Sequence, residues 1–179
     1  MGKVEGRVIS WREMPLATIA VRWSWRRAEV SRLPWNAYAI LKGGIMEIIE
    51  RREHPGLATL YLASLNGEDR CVEFVDTLEP GVAKSEKWVM MISTQVGCPV
   101  GCRMCDAGAL GYFGNLRAEE MLAQIRHIIA ANPQLNPLRH PKLKIHFARM
   151  GEPSLNPETL KALRILAEEY PHSGIIPSL

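Results

Sequence analysis

The sequence predicts an α/β protein in which a small antiparallel β unit precedes the opening of a series of alternating parallel strands and helices. Three observations predict it. Between residues 45 and 76 apolar and polar side chains alternate with the period of a strand, and Asn66-Gly67 supplies a hairpin turn. Over 117–131 and again over 158–170 the apolar period lengthens to that of a helix. Apolar runs at 88–92 and 142–150 stand before those two helices, the order that builds a parallel sheet.

Residues 1–43 read as a basic, tryptophan-rich leader. Between residues 1 and 35, Lys3, Arg7, Arg12, Arg22, Arg26, Arg27 and Arg32 face only Glu5, Glu13 and Glu29, which gives +4 within a chain of formal charge +3. Trp11, Trp23, Trp25 and Trp35 are interleaved with these cations. Two readings fit: arginines meet phosphates while indoles stack on unpaired bases, or the indoles bury against the rest of the protein.

Residues 44–86 read as the antiparallel unit, with strands at Ile45–Glu50, Leu57–Leu65 and Arg70–Asp76, a turn at His54-Pro55-Gly56 and a loop from Leu78 to Glu86. The main domain, 87–179, begins with the strand Trp88–Ile92. A helix follows over Arg117–Ala131, with Met121, Leu122, Ile125, Ile128 and Ile129 on one face and Glu119 and Glu120 in the first turn, where a helix N-terminus favours acids. Lys142–Met150 reads as the next strand. Asn156-Pro157-Glu158 opens a second helix, an N-cap followed by proline, with Leu160, Leu163, Ala167 and Tyr170 lining one face and Pro171 stopping it. Gly174–Pro177 looks like a third strand just beginning.

The chain of 179 residues, 47% hydrophobic and 23% charged, has the composition of an ordinary globular protein rather than a disordered or membrane one. It contains no apolar run of the roughly 18 residues a membrane span needs. The apolar stretch Met14–Val21 is too short for a span and is followed by arginines, so it does not read as a signal peptide. A cytoplasmic, reducing location is expected, where free thiols persist.

Chemistry concentrates in Cys98-Pro99-Val100-Gly101-Cys102-Arg103-Met104-Cys105, a C-x3-C-x2-C run. Three thiolates hold three corners of a cubane 4Fe-4S cluster and leave the fourth iron to a ligand that is not protein. The competing reading is structural zinc, which usually takes four protein ligands from two paired knuckles. Here the second knuckle is missing, and His127, the nearest fourth ligand, falls at a helical position among Ile125, Ile128 and Ile129.

This run, with Gln95-Val96-Gly97 before it and Gly111-Tyr112-Phe113, Asn115-Leu116 and Glu120 after it, resembles the cluster loop of radical S-adenosylmethionine (SAM) enzymes of the RlmN/Cfr type, which methylate adenines in RNA. Met150-Gly151-Glu152-Pro153-Ser154-Leu155-Asn156 is similar to that family's Gly-Glu-Pro segment, and the resemblance runs over roughly residues 44–179. The resemblance implies a radical SAM partial (β/α) barrel, of which about two and a half of six βα units are present, so the chain reads as a truncated core. It implies that Cys98, Cys102 and Cys105 hold the cluster, that Gly151 and Glu152 grip the SAM ammonium, and that Met104 and Asn156 are possible SAM contacts. Reductive cleavage of SAM to a 5'-deoxyadenosyl radical follows, fed by an electron donor such as flavodoxin or ferredoxin, with RNA as the implied substrate.

The sequence departs from the family at one position. A cysteine seven residues ahead of the cluster loop is the family's covalent nucleophile, and Met91 stands there; a thioether cannot do that work. The family's general base, a glutamate in the preceding strand, corresponds to Glu73, which with Cys71 faces one side of its strand. The competing reading of that pair is a packed thiol beside a solvated carboxylate. His140, His146 and His172 show no metal-ligand spacing, and Arg139, His140, Lys142 and Lys144 form a small basic cluster with two readings, a face for RNA or an ordinary solvated surface. Besides the RNA-modifying enzyme, two functions fit: a radical SAM enzyme acting on a non-RNA substrate, and a noncatalytic zinc-binding RNA module.

Overall fold

The structure, a computed structural model, describes residues 45–66, 70–171 and 174–179. The leader, Gly67 of the hairpin turn and His172 lie outside the described residues.

Strands β1 (Met46–His54), β2 (Ala58–Leu65) and β3 (Cys71–Leu78) form an antiparallel ribbon, and β3 pairs antiparallel with β4 (Trp88–Met91). From β4 the sheet turns parallel, through β7 (Leu143–His146) to β8 (Ile175–Ser178), so six strands run in the order β1-β2-β3-β4-β7-β8. The ribbon and the βα series therefore share one sheet. A second, two-stranded sheet pairs β5 (Gln95–Gly97) with β6 (Tyr112–Asn115). The helices are α1 (Asp106–Ala109), α2 (Ala118–Ala130) and α3 (Glu158–Glu169).

Local chemistry explains the corners. Gly56 (φ 73°) turns the chain between β1 and β2, where the Leu57 N–H donates to the His54 carbonyl at 3.0 Å. Asn66 adopts φ 55°, the left-handed conformation that asparagine tolerates at a hairpin corner. The first strand is longer than the sequence suggested, because Arg51–His54 stay paired to Ala58–Tyr61 while their side chains remain in water.

Strand alternation divides the sheet into two faces. Tyr61, Val72, Phe74, Trp88, Met90 and Ile145 are buried with Met121, Leu122, Ile125 and Ile128 of α2 and with Ala162 and Leu166 of α3. The opposite face carries Cys71, Glu73, Val75, Met91, Lys144 and His146, whose exposure ranges from partial to open. The α2 stripe is the one read from the sequence. On α3 the stripe differs: Thr159, Ala162 and Leu166 are buried, whereas Leu160 is 59% exposed and Ala167 lies in solvent. The helix is clocked by its first turn, where the Glu158 N–H donates to Asn156 Oδ1 and the Glu158 carboxylate accepts from the Ala118 N–H, both at 3.1 Å.

At the end of the sheet away from the cysteines, Asp76 is 3% exposed and accepts from Trp88 Nε1 (2.7 Å), Lys84 Nζ (2.8 Å) and Asn132 Nδ2 (2.9 Å). His140 belongs to this knot. It is buried, with Nδ1 accepting from the Lys142 N–H at 3.1 Å, which leaves Nε2 to donate to the Lys84 carbonyl at 2.8 Å. That corrects its reading as part of a solvated basic cluster.

Candidate functional site

The site assembles where β4 and β7 end. Residues Ile92–Gln95, leaving β4, are zipped to Arg149–Glu152, leaving β7: the Arg149 N–H donates to the Ile92 carbonyl (3.0 Å), and the Thr94 and Gln95 N–H groups donate to the Met150 carbonyl (2.8 and 3.2 Å). The Glu152 N–H donates to Gln95 Oε1 at 2.8 Å, and Gln95 Nε2 in turn reaches Asn115 Oδ1 at 2.8 Å. One glutamine thus ties the Gly-Glu segment to the ribbon that brackets the cysteine loop. The strand expected over Lys142–Met150 accordingly stops at His146, because Arg149 and Met150 turn aside to make this junction.

Ser93 anchors the junction from behind. Its N–H donates to Gln124 Oε1 (2.8 Å) and its carbonyl accepts from Gln124 Nε2 (3.1 Å), so a fully buried side chain on α2 replaces a strand neighbour. Its hydroxyl donates to the Glu73 carbonyl and accepts from the Met150 N–H at 3.1 Å.

Gly151 has no room for a side chain. At φ 96° a Cβ would lie 2.6 Å from Gln95 Cβ and 2.7 Å from Thr94 Oγ1. Gly97 is tighter still, since a Cβ there would stand 1.8 Å from the Gly111 carbonyl oxygen, the acceptor for the Cys98 N–H at 3.0 Å. These two glycines let the backbones of both motifs close up. Glu152 accepts from the Ser154 hydroxyl (2.7 Å) and the Ser154 N–H (3.1 Å), and those two bonds, the hydroxyl first, hold its carboxyl below the usual glutamate range.

Cys98, Cys102 and Cys105 are free thiols on the loop between β5 and α1; Cys98 is partly exposed and the other two are open to solvent. The Cys105 N–H donates to the Cys102 carbonyl at 3.0 Å, a tight turn that places Met104 outward, 96% exposed. Among the described residues no three His, Cys, Asp or Glu side chains gather as the ligands of one metal ion would. The donor set nevertheless fits a cluster in its chemistry: three accessible sulfurs, none in a disulfide, on one loop. His127 is not among them. It packs edge-on against Tyr61 (4.9 Å) and Phe74 (5.7 Å) under the sheet, where burial pulls its pKa down.

The other expected residues divide. Asn156 is 1% exposed and spends its whole amide on the fold: Nδ2 donates to the Thr94 (2.7 Å) and Leu116 (2.8 Å) carbonyls, and Oδ1 accepts from the Glu158 N–H (3.1 Å). It supports both motif loops from beneath, with both Nδ2 hydrogens committed to backbone carbonyls. Glu73 sits on the open face, ion-paired to Arg149, with its N–H 3.4 Å from Met150 Sδ. Met91, paired in register with Val75 and His146, shares that face and is 37% exposed. Reading the sequence missed Gln124 and Arg149, and took Gln95 only as part of the cysteine-loop motif. Gln124 carries no signal of its own in a single sequence, and the bridging role of Gln95 exists only through tertiary contact; Arg149 stood beside the Gly-Glu segment.

Known proteins resemble this chain in sequence and in fold. No family model matches the chain. It is 40% identical over 88 residues to the dual-specificity RNA methyltransferase RlmN of Helicobacter hepaticus, which spans 49% of this chain and 23% of that protein. Against RlmN of Aliarcobacter butzleri the identity is 35% over 158 residues, 78% of this chain and 41% of the relative. The ribosomal RNA large subunit methyltransferase Cfr of Clostridium botulinum strain Okra is 38% identical over 78 residues, 44% of this chain and 21% of the relative. A crystal structure of a radical SAM methyltransferase from Sphaerobacter thermophilus superposes with a TM-score of 0.60 at 26% identity, covering 86% of this chain and 43% of that one. The chain spans less than half the length of each of these four relatives. By sequence and by fold, over the part it covers, the chain is RlmN/Cfr-like and belongs with the radical SAM proteins.

Proposed function

We propose that this chain carries the cluster- and SAM-binding half of a radical SAM enzyme that methylates or otherwise modifies an adenine of RNA. The observation that carries the proposal is the junction of the two motif segments: Gly151-Glu152 is hydrogen-bonded to the strand that feeds the cysteine loop, so thiolates and ammonium acceptor open at the same end of the sheet. In open α/β sheets that end is where ligands bind.

In this reading Cys98, Cys102 and Cys105 hold three irons of a 4Fe-4S cluster. When bound, the cluster supplies one electron to the SAM sulfonium. Glu152, kept ionised by Ser154, accepts from the SAM ammonium, and Gly151 admits the ligand close to the backbone. Met104, almost fully exposed, offers an apolar contact to the adenine of SAM. Glu73 faces the substrate side as the general base. A flavodoxin or ferredoxin supplies the electron, and a cytoplasmic location suits both the cluster and the free thiols. Among the described residues no helix is long and apolar enough to cross a membrane.

Met91 favours one other reading. Its thioether stands on the open face where the RNA-methylating relatives need a nucleophile, and in this second reading radical formation serves a substrate that requires no covalent adduct. The test is anaerobic reconstitution of the chain followed by reductant and SAM. Reductant-dependent 5'-deoxyadenosine, lost in Cys102→Ala, is expected; methyl transfer to RNA separates the first reading from the second. Bound zinc with no SAM turnover would overturn both.

A further inference from the structure

Arg149 is the residue that the two motifs leave unexplained. It lies at the junction, its N–H on the Ile92 carbonyl and its guanidinium on the Glu73 carboxylate across the mouth of the open face. The pair is half in water, with the arginine side chain 38% exposed and the glutamate 28% exposed. Only Nη2 is engaged; among the described residues the other guanidinium donors meet no acceptor. On β7 this face carries the cation Lys144 beside His146, whose pKa is pulled down by burial and then by the Lys144 and Lys87 charges.

We propose that Arg149 is a substrate-positioning residue that takes a phosphate of the RNA substrate, and that Glu73 is its parking place in the free protein. The proposal rests on the reading that the substrate is RNA. A guanidinium presents paired donors that match two phosphate oxygens, whereas Glu73 engages one nitrogen, so a phosphate offers the better partner. A half-exposed ion pair is weakly held and screened by salt, which makes the exchange accessible. Once Arg149 has turned to the phosphate, the Glu73 carboxylate is left facing the substrate it would act on. Arrival of the substrate thereby uncovers the base.

The two partners should respond with opposite sign, and a merely structural pair would not. The experiment is fluorescence anisotropy of a single-stranded adenosine-containing RNA oligonucleotide with the full chain, over a series of salt concentrations. Arg149→Met is expected to weaken binding about tenfold and to lower the salt slope by about one phosphate contact. Glu73→Gln, which frees the arginine, is expected to tighten binding, and Arg149→Lys to retain the salt slope while losing part of the affinity. Should Arg149→Met fail to fold, the sign of the Glu73→Gln change decides alone. Equal weakening in both variants, or no change in either, would overturn the assignment. Formation of 5'-deoxyadenosine by the unsubstituted protein is scored separately. Its absence sinks the enzyme reading without touching the arginine, whereas normal cleavage with unresponsive RNA binding sinks the arginine alone.

Discussion

Gly151 shows how tightly two loops can close where a side chain is absent. Replacing the Gly151 hydrogen by a methyl group would drive it into Thr94 and Gln95 and strain a backbone at φ 96°, at a cost of about 1–3 kcal/mol. Gly151→Ala is therefore expected to lower thermal stability and to abolish SAM binding measured by calorimetry, whereas Gly101→Ala, which shares the backbone strain (φ 65°) but meets nothing within 4 Å, should leave SAM affinity less affected. Glu152 bears on pH. Its carboxyl is held below the ordinary glutamate range, first by the Ser154 hydroxyl and then by the Ser154 N–H, so it stays charged as pH falls toward that range. The Glu152 contribution to SAM affinity should be flat through neutral pH and fade only below the usual carboxylate values; Ser154→Ala should move that fade upward. The cysteines and both glycines were legible as residues, because cluster spacing and a Gly-Glu motif leave marks in one sequence. Asn156 was legible only as a cap. Its burial and its two carbonyl partners depend on Thr94 and Leu116, distant residues whose approach no local pattern encodes.

At the level of elements, α2 does more than cover the sheet. Glu120, fully buried in its first turn, accepts from the Arg117 N–H (2.7 Å), Asn66 Nδ2 (2.7 Å) and Arg70 Nη1 (3.1 Å). Burial pushes its pKa up, but the Arg117 N–H, the Arg70 charge and the Asn66 amide together outweigh it, and the net shift is downward. A depressed folded-state pKa contributes stability above the ordinary glutamate value and loses it as pH falls through the depressed one. Glu120→Ala should cost about 1–3 kcal/mol at neutral pH, the range for leaving buried partners unsatisfied, and the deficit should shrink in acid. Chemical denaturation at two pH values checks it. Gln124→Leu should cost a similar amount, about 1–3 kcal/mol, by stranding the Ser93 N–H and carbonyl. Periodicity revealed α2, β2, β3, β4 and the position of α3, since each presents a long apolar stripe. It could not reveal β5, β6 and α1, which are three or four residues long and exist because Gln95 pairs with Asn115 and Gly97 closes on Tyr112.

Across the whole molecule, one sheet separates structure from chemistry. Its covered face holds the core and His127; its open face carries Glu73, Met91 and His146, beneath a mouth shared by the cysteine loop and the Gly-Glu segment. The order of strands and the placing of both motifs at strand ends were readable from the alternation of periods. That the antiparallel ribbon continues into the parallel strands was not, because pairing of β3 with β4 depends on a tertiary choice between edges. The central claim is that the three thiolates hold a cluster with one iron open to SAM. Electron paramagnetic resonance of the anaerobically reconstituted and reduced chain, recorded with and without SAM, tests it most directly. A reduced-cluster signal whose shape changes on adding SAM is predicted; a signal indifferent to SAM, or none from protein that has bound zinc, would contradict it.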